Sequence, residues 1–288
     1  MSLLIQLRYR IRAIETIKKI THAMRLISMS ARSRLKNKEE PLREYMKTSA
    51  QLVLHIKSHA PDWNNPIITP SRQSPHNPLV ILIGSQRGLC GNFNTTLFNF
   101  FEKTVIKTHK PGEKIHVIPV GKKAVQHIDN NSLYTPIAQF PELTAKTLGS
   151  IANQILSLLL QRHPAFTDVV VFSNHLRTFF IQKPHETVLI PFAQTQETHN
   201  VDDTTYKEDY HWEQSPHDLL DQLGYQTLEV QLHYLLFESL LSEHAARFIS
   251  MDNATRNAQN LLEDTQLQYN KLRQAKITKE LTELVSNV

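Results

Sequence analysis

Two long segments of this sequence contain neither glycine nor proline: residues 1–40 and residues 225–288. All 7 glycines and all 14 prolines lie between Pro41 and Gly224. A proline inside a helix costs about 3 kcal/mol and a glycine about 1 kcal/mol relative to alanine. Excluding both from 40 and then 64 consecutive residues therefore predicts two helices far longer than usual. Helices of such length need a partner along most of their length in water.

The sequence also lacks the marks of several protein classes. Its single cysteine, Cys90, excludes a disulfide framework. No run approaches the roughly 18 consecutive apolar residues of a membrane-spanning helix. The N-terminus, MSLLIQLRYR, places its charges after its apolar residues, which is not the order of a secretory signal. From these absences we expect a reducing, cytoplasmic setting.

Charge is distributed unevenly along the chain. Residues 1–50 carry 12 Lys and Arg against 4 Asp and Glu, a net charge of +8. Residues 216–288 carry 6 against 10, a net charge of −4, and the segment between them carries +1. The basic and acidic ends either attract each other or present opposite charges to partners. Solvated helix faces of unequal charge are the alternative interpretation.

Apolar residues recur at helical spacing in both glycine-free segments. In the first segment, two runs with a 4,3 spacing are joined by two steps of three, a stammer that locally overwinds a coiled coil. The first run is Leu4, Leu7, Ile11 and Ile14, and the second is Ile17, Ile20, Met24, Ile27 and Ala31. The C-terminal stripe is Phe248, Met251, Thr255, Ala258, Leu262, Thr265, Tyr269 and Leu272, then after a phase shift Ile277, Leu281, Leu284 and Val288.

These stripes predict an intramolecular antiparallel coiled coil, in which the longer C-terminal helix projects beyond the N-terminal one. Two unrelated helices in a bundle are the alternative. Several positions of the C-terminal stripe are small or polar, so the predicted seam is looser than a leucine zipper.

The middle of the sequence alternates between strand and helix patterns, which predicts a mostly parallel, Rossmann-like α/β domain. The predicted strands are Leu79–Ile83, Ile115–Val120, Val169–Phe172 and Val188–Ile190. The predicted helices are Thr95–His109, capped by Asn94, and Leu143–His163. A hairpin is predicted from Thr178–Gln182 to Val188, with its turn at Lys183–Glu186.

The fold class is thus α/β plus all-α, in three parts. We expect an N-terminal coiled-coil helix over residues 1–60, a central α/β domain over 75–200 and a C-terminal coiled-coil helix over 215–288. Pro61–Pro78 and Asp202–Gln214 are the predicted linkers. Ser215 is the predicted N-cap of a helix that begins at Pro216.

No segment predicts a convincing active site. The glycines of the loop from Gly84 to Gly91 are four and then three residues apart, which matches neither a Walker loop nor a dinucleotide turn. No base is evident for Cys90, and His55 and His59 have no companion metal ligands. The basic run Arg8–Arg12 could suit nucleic acid or an anionic membrane, but it shares its helix with an apolar seam. We therefore expect no catalytic residue, cofactor or metal.

Several segments resemble the γ subunits of ATP synthase. The segment IETIKKITHAM, residues 14–24, is similar to the KKIT-x-AM signature of that family, and RGLCGNFN, residues 87–94, to its RGLCGGLN motif. The C-terminal matches are ESLLSEHAAR (238–247), MDNAT (251–255), YNKLRQ (269–274) and ITKELTELV (277–285). They lie at both ends and in the middle, in the family's order and near its length.

This resemblance implies a non-catalytic rotary shaft. The coiled coil would stand in the cavity of a ring of alternating α and β subunits, and its foot would grip the membrane c-ring together with the ε subunit. The δ subunit belongs to the same complex without assured contact, and no nucleic acid is involved. Ion flow would turn the shaft and drive each β subunit through states of different nucleotide affinity. The implied location is peripheral, on the cytoplasmic face of the cell inner membrane.

The resemblance also implies contact positions. Met24 matches a residue near the lower edge of the β subunits, and Arg247 an arginine on the opposing helix. Gln274 and Thr278 match residues that hydrogen-bond to a loop of the β subunit. Each has an alternative interpretation as an ordinary seam or surface residue.

Some positions depart from the family pattern. Gln86 replaces the usual Asp before the RGLC motif, and Asn92 and Phe93 replace Gly and Leu. These changes bear on the conformation of the loop. With one cysteine, a dithiol redox switch is excluded. The rival hypotheses are a coiled-coil scaffold or adaptor, a nucleic-acid-binding protein, and an enzyme that uses the α/β domain.

Overall fold

The computed structural model describes most of the chain. The described ranges are residues 3–65, 68, 77–108, 115–161, 166–191 and 213–286. The predicted linker Pro61–Pro78 is therefore described only in part. Of the predicted linker Asp202–Gln214, only residues 213 and 214 are among the described residues. Within the described ranges, no helix combines the length and apolar character that crossing a bilayer requires.

Five helices and five strands follow one another along these ranges. They are α1 (Leu3–His59), β1 (Pro78–Ile83), α2 (Phe93–Thr108), β2 (Ile115–Val120), α3 (Lys122–Asp129), β3 (Tyr134–Pro136), α4 (Leu148–Gln161), β4 (Asp168–Thr178), β5 (Ile181–Ile190) and α5 (Pro216–Ser286). The two end helices contain 57 and 71 residues, so the prediction of two very long helices is confirmed.

Both end helices extend past the segments that lack glycine and proline. Helix α1 continues through Pro41, and α5 contains Gly224. A Cβ atom at position 224 would lie 2.3 Å from Cδ1 of Ile68, so any larger residue there would require the Ile68 side chain to move. The predicted N-cap of α5 is confirmed, because the Ser215 hydroxyl accepts a bond from the Asp218 backbone N–H at 3.2 Å.

The chain divides into two compact units. The first contains Met1–Arg32, Leu89–Gly91 and His244–Val288. The second contains Ser33–Gly88 and Asn92–Glu243.

The second unit is built on a five-stranded sheet in the order β3-β2-β1-β4-β5. The first four strands are parallel, and β5 pairs antiparallel with β4 at one edge. The predicted mostly parallel sheet is confirmed. Strand β3 and helix α3 were not predicted, because elements of 3 and 8 residues are too short to show a periodic pattern.

An apolar cluster lies on each face of the sheet, since adjacent strand residues point to opposite faces. One cluster joins strand residues Leu79, Ile81, Val169 and Val171 to Ile151 and Ile155 of α4 and to Leu232 and Leu236 of α5. The other joins Val80, Leu82 and Phe172 to Leu97 and Phe101 of α2 and to Ala124 and Ile128 of α3. The sheet is thus covered by helices on both sides.

Three local predictions in this unit were wrong. The hairpin turns at Phe179 and Phe180, and the predicted turn Lys183–Glu186 lies inside β5. Pro184 is tolerated there because β5 is an edge strand. Helix α2 begins at Phe93, before the predicted cap, and the Asn94 side chain instead bonds to Ser85.

The third concerns α4, which begins five residues later than predicted, at Leu148. A turn precedes it, in which the Thr144 carbonyl accepts from the backbone N–H groups of Thr147 and Leu148. His109 and His163, the predicted C-terminal ends of two helices, lie outside the described residues.

Candidate functional site on the paired helices

In the first unit, the N-terminal part of α1 pairs antiparallel with the C-terminal part of α5. Arg8 donates to the Tyr269 hydroxyl at 2.9 Å, and Arg25 reaches the Asp252 carboxylate at 2.6 Å. Residue numbers rise along one helix as they fall along the other, as an antiparallel coiled coil requires. The prediction of such a pair is confirmed.

The seam of α1 keeps an unbroken 4,3 spacing. This spacing runs through the buried and half-buried residues Leu4, Leu7, Ile11, Ile14, Lys18, Thr21, Arg25 and Ser28, and Met24 beside them is half-buried too. The predicted stammer after Ile14 is therefore wrong. Only Ile14, Ala258 and Leu262 form a buried apolar cluster in the described part of this unit, with Ile11 packed against it.

Polar side chains also join the two helices. Lys18 donates to Gln259, and Thr255 donates to the Thr21 hydroxyl at 2.9 Å. Asp252 bonds to Arg25 and, at 2.8 Å, to Arg256 on its own helix. The hydrogen bond from Arg25, with the nearby positive charges, lowers the pKa of Asp252. These bonds have defined partners and so fix the register of the two helices.

The predicted apolar seam residues Ile17, Ile20 and Ile27 face outward instead. They are 53%, 56% and 58% exposed. In this stretch of α1, polar residues therefore face the partner helix and isoleucines face solvent, the reverse of the usual arrangement. Such a row of exposed isoleucines is a candidate surface for contact with another protein. We call these three residues the outer isoleucine row.

The C-terminal stripe is confirmed over Met251–Tyr269, where its members are buried or half-buried. From Leu272 onward, every described side chain of α5 is exposed. Tyr269 of α5 pairs with Arg8 of α1, and Arg8 is only five residues from Leu3, where α1 begins. The part of α5 after Tyr269 therefore extends past the first turns of α1. The predicted projection of the C-terminal helix is confirmed.

The four predicted contact residues lie in different settings. Met24 is half-buried beside the outer isoleucine row, and Arg247 is only 4% exposed. Gln274 and Thr278 lie together on the projecting end, where the Thr278 hydroxyl donates to the Gln274 carbonyl at 3.0 Å. The structure thus brings the last two together and leaves the other two apart from them.

In the second unit, backbone N–H groups of the loop after β1 bond to the carboxylate of Glu243, a residue of α5. Glu243 accepts from the backbone N–H groups of Gln86 at 2.9 Å and Arg87 at 3.4 Å. The loop follows the central strand at its carboxyl end, where open α/β sheets bind ligands. Backbone N–H groups that could face a phosphate therefore already have an anionic partner. No sequence signal links Glu243 to this loop, and sequence reasoning missed it.

Gln86 explains one departure from the RGLC pattern. Its side-chain oxygen accepts from the Leu143 backbone N–H at 3.0 Å, which ties the loop to the segment before α4. Close packing accounts for two glycines nearby. A Cβ at Gly121 would lie 2.3 Å from the Gly84 carbonyl oxygen, and Gly121 has φ +90. The glycines serve packing at this point.

The remaining candidates for chemistry are Cys90 and the histidine pair of α1. Cys90 is buried. His55 and His59 lie one turn apart with ring centroids 5.2 Å apart. Among the described residues, no group of three or more His, Cys, Asp or Glu could hold a metal ion.

Comparison with known proteins gives one consistent family. The family model described as ATP synthase matches residues 4–288. The ATP synthase gamma chain of Aquifex aeolicus is 30% identical over 286 residues, covering 98% of this chain and 95% of that protein. The ATP synthase gamma chain of Granulibacter bethesdensis is 30% identical over 299 residues, covering 99% and 98%.

Solved structures resemble the fold. A chain of the Tetrahymena thermophila mitochondrial ATP synthase central stalk and c-ring aligns with a TM-score of 0.60 at 20% identity, covering 82% of this chain and 99% of that one. A chain of the Euglena gracilis mitochondrial ATP synthase aligns with a TM-score of 0.56 at 16% identity, covering 92% and 94%. At these identities the likeness concerns the fold.

Proposed function

This chain belongs to the family of ATP synthase γ chains, the central-stalk subunits of F-type ATP synthases, and we propose that its paired helices are the rotating shaft of such a complex. In this proposal the chain carries torque and performs no chemistry itself. Ion flow through the c-ring turns the shaft, and its asymmetry moves each catalytic β subunit in turn through conformations of different nucleotide affinity.

The proposed partners follow from that role. The α and β subunits surround the paired helices, and the c-ring and the ε subunit bind at the membrane end. The δ subunit shares the complex without assured contact. The subunit is held at the cytoplasmic face of the cell inner membrane as a peripheral protein. A free-standing scaffold has no single observation in its favour.

The outer isoleucine row carries the proposal. Isoleucines exposed to water contribute no burial energy. Contact with an apolar surface of a surrounding subunit would stabilise the complex by about 25 cal/mol for each Å² of apolar surface removed from water. The polar seam supports the same interpretation. A shaft needs a fixed register between its helices, which Thr21 with Thr255 and Arg25 with Asp252 supply.

The proposed contact residues divide between two places. Met24 adjoins the outer isoleucine row and would meet the lower edge of the β subunits. Gln274 and Thr278, which are exposed, would hydrogen-bond to a loop of the β subunit. Arg247 is 4% exposed, so we propose that it acts mainly by holding α5 in place beside its partner.

The test replaces apolar contact without adding charge. Ile17, Ile20 and Ile27 are changed together to Gln, and the variant is assembled with α and β subunits. Because these side chains are already exposed, the isolated chain should keep its stability, while assembly should weaken by about tenfold or more. The matched control is Ile106→Gln, an exposed isoleucine of α2 that is 74% exposed and lies in the second unit.

The readouts are co-purification with α and β subunits and ion-driven ATP synthesis in vesicles. We expect the control to assemble and to support synthesis like the unaltered chain. Equal assembly and equal synthesis in the triple variant would contradict a role for this surface. A chain that never co-purifies with these subunits, altered or not, would favour the scaffold.

A further inference from the structure

In the second unit, the chain that leaves α1 is fastened to the first turns of α5. Trp63 Nε1 donates to Oδ1 of Asp221 at 2.9 Å, and the Asn65 side-chain amide donates to the same oxygen at 2.8 Å. The Asn65 amide also donates to the Tyr225 hydroxyl at 3.1 Å. Trp63 and Asn65 are 6% and 4% exposed, so water competes little for these bonds.

A steric contact adds to these bonds. The Asn65 side-chain oxygen accepts from the Ile68 backbone N–H at 3.2 Å, and Ile68 is fully buried. Its side chain lies against Gly224 of α5. If α5 turned about its axis by one residue, Leu223 or Tyr225 would come to this place and would push the Ile68 side chain aside. We call Trp63, Asn65, Ile68, Asp221, Gly224 and Tyr225 the anchor cluster.

Other contacts of α5 in this unit are of different kinds. Its apolar face joins the core on one side of the sheet through Leu220, Leu228, Leu232 and Leu236. Apolar burial has no preferred direction, whereas a hydrogen bond requires a defined distance and angle. Glu238, which lies 2.5 Å from Nδ1 of His175, and Glu243 bond to the hairpin and to the loop after β1. The anchor cluster differs from these because it joins the base of α5 to the end of α1.

We propose that the anchor cluster is the joint through which torque passes from the second unit into α5, with Asp221 as the positioning residue. This inference rests on the proposed rotary function. Helix α5 runs without a break from Pro216 in the second unit to Ser286 in the first. A twist applied to the second unit reaches the far end of this helix only if the helix cannot turn within the unit. The directional bonds to Asp221 and the fit of Ile68 on Gly224 oppose such a turn.

A purely structural staple is the alternative interpretation. Loss of a staple would lower the stability of the second unit without changing how many ions are moved for each ATP. Loss of a joint that carries torque would change that ratio in complexes that are still assembled. The coupling ratio therefore separates the two interpretations.

The test compares Asp221→Leu, Asp221→Asn and Glu229→Leu in whole synthase complexes reconstituted in vesicles. Leucine has about the shape of aspartate without an acceptor, whereas asparagine keeps a side-chain oxygen for Trp63 and Asn65. Glu229, half-buried on the same helix, is the matched control for adding a leucine. The measurement is the rate of ATP-driven ion pumping divided by the rate of ATP hydrolysis. We expect this ratio to fall about threefold or more in Asp221→Leu, which loses two buried hydrogen bonds, and to be unchanged in the other two variants.

Hydrogen exchange in the same complexes locates the effect. Amides of residues 218–228 should exchange about tenfold faster in Asp221→Leu than in the unaltered chain or in Asp221→Asn. If Asp221→Leu fails to assemble, Trp63→Phe takes its place. That variant keeps an aromatic ring, removes one of the two donors and should also lower the ratio.

Three results would overturn this inference alone. They are an unchanged ratio in assembled Asp221→Leu or its substitute Trp63→Phe, an equal loss in Asp221→Asn or Glu229→Leu, and a lower ratio without faster exchange at the base of α5. Absence of pumping with the unaltered chain would overturn the rotary function, and this inference with it.

Discussion

The two compact units differ in what fills their interiors. In the second unit, apolar clusters cover both faces of a sheet, and strand residues such as Ile81 and Val171 are fully buried. In the first unit, the buried apolar cluster of the described residues is Ile14, Ala258 and Leu262, and polar pairs join the two helices on either side of it. The second unit uses its apolar residues for its own stability. The first unit exposes the outer isoleucine row, which we propose packs against a surrounding subunit.

The largest expected effect compares one isoleucine from each unit. Ile81→Ala removes a side chain that is 0% exposed and should lower the free energy of unfolding by about 2 to 5 kcal/mol. Ile20→Ala, at a position 56% exposed, should change it by less than about 0.5 kcal/mol. Urea denaturation followed by circular dichroism measures both. Similar losses in the two variants would mean that the units do not differ in this way.

The next prediction concerns the buried carboxyl group of the second unit. The pKa of Glu238 is raised from 4.5 to about 7, so the folded state favours the neutral form. Its contribution is fully present below about pH 4.5 and is lost as the pH rises through about 7, for a total of about 3 kcal/mol. The lowered pKa of His175 acts in the opposite direction, reducing stability as the pH falls below about 6.5.

The measurement is the free energy of unfolding between pH 4.5 and pH 8.5, for the unaltered chain and for Glu238→Gln. We expect the variant to be more stable above pH 7 and to lose most of the decline on the alkaline side. Two parallel curves would show that Glu238 titrates normally.

A smaller effect is expected from the carboxylate under the loop after β1. Glu243→Ala leaves the N–H groups of Gln86 and Arg87 without this acceptor, which should cost about 1 to 3 kcal/mol. Glu229→Ala, at a half-buried position of the same helix, is the control and should cost less. Thermal unfolding compares the two. If both melt alike, the bond to the loop contributes little.

The smallest effect is expected in the polar seam of the first unit. Asp252→Asn weakens the bonds to Arg25 and Arg256, and because these side chains are partly exposed the loss should stay below about 1 kcal/mol. Since the pKa of Asp252 is lowered, this contribution is present above about pH 3.8 and is lost as the pH falls below it. Denaturation at pH 7 and pH 3 checks both statements, and an equal deficit at both values would contradict the second.

Much of the fold was predictable because its signals are local. Missing glycine and proline marked both end helices, and short apolar runs marked β1 and β2 almost to the residue. The edge hairpin was misread because Pro184 and Glu186 resemble turn residues, and an edge strand tolerates both. Short elements such as α3 carry too few residues for a period to appear.

The candidate surface was less predictable because isoleucine looks the same wherever it faces. A pattern search assigns Ile17 and Ile20 to a seam, since apolar residues are assumed to be buried. Lys18 and Arg25 lie in the seam because they bond to Gln259 and Asp252. These partners are more than 200 positions away in the chain, so a local pattern does not reveal them. Tertiary pairing of this kind leaves no local trace.

The polar seam has a consequence for how the two helices find each other. Sliding α1 by one heptad in one direction would set Arg25 opposite Ala245, and sliding it in the other would set Arg25 opposite Gln259. Either shift removes the carboxylate from the guanidinium and separates Thr21 from Thr255. A purely apolar seam would accept several alignments at similar energy, whereas the polar pairs of this seam are lost in either shifted alignment. The polar pairs therefore specify one alignment of the two helices.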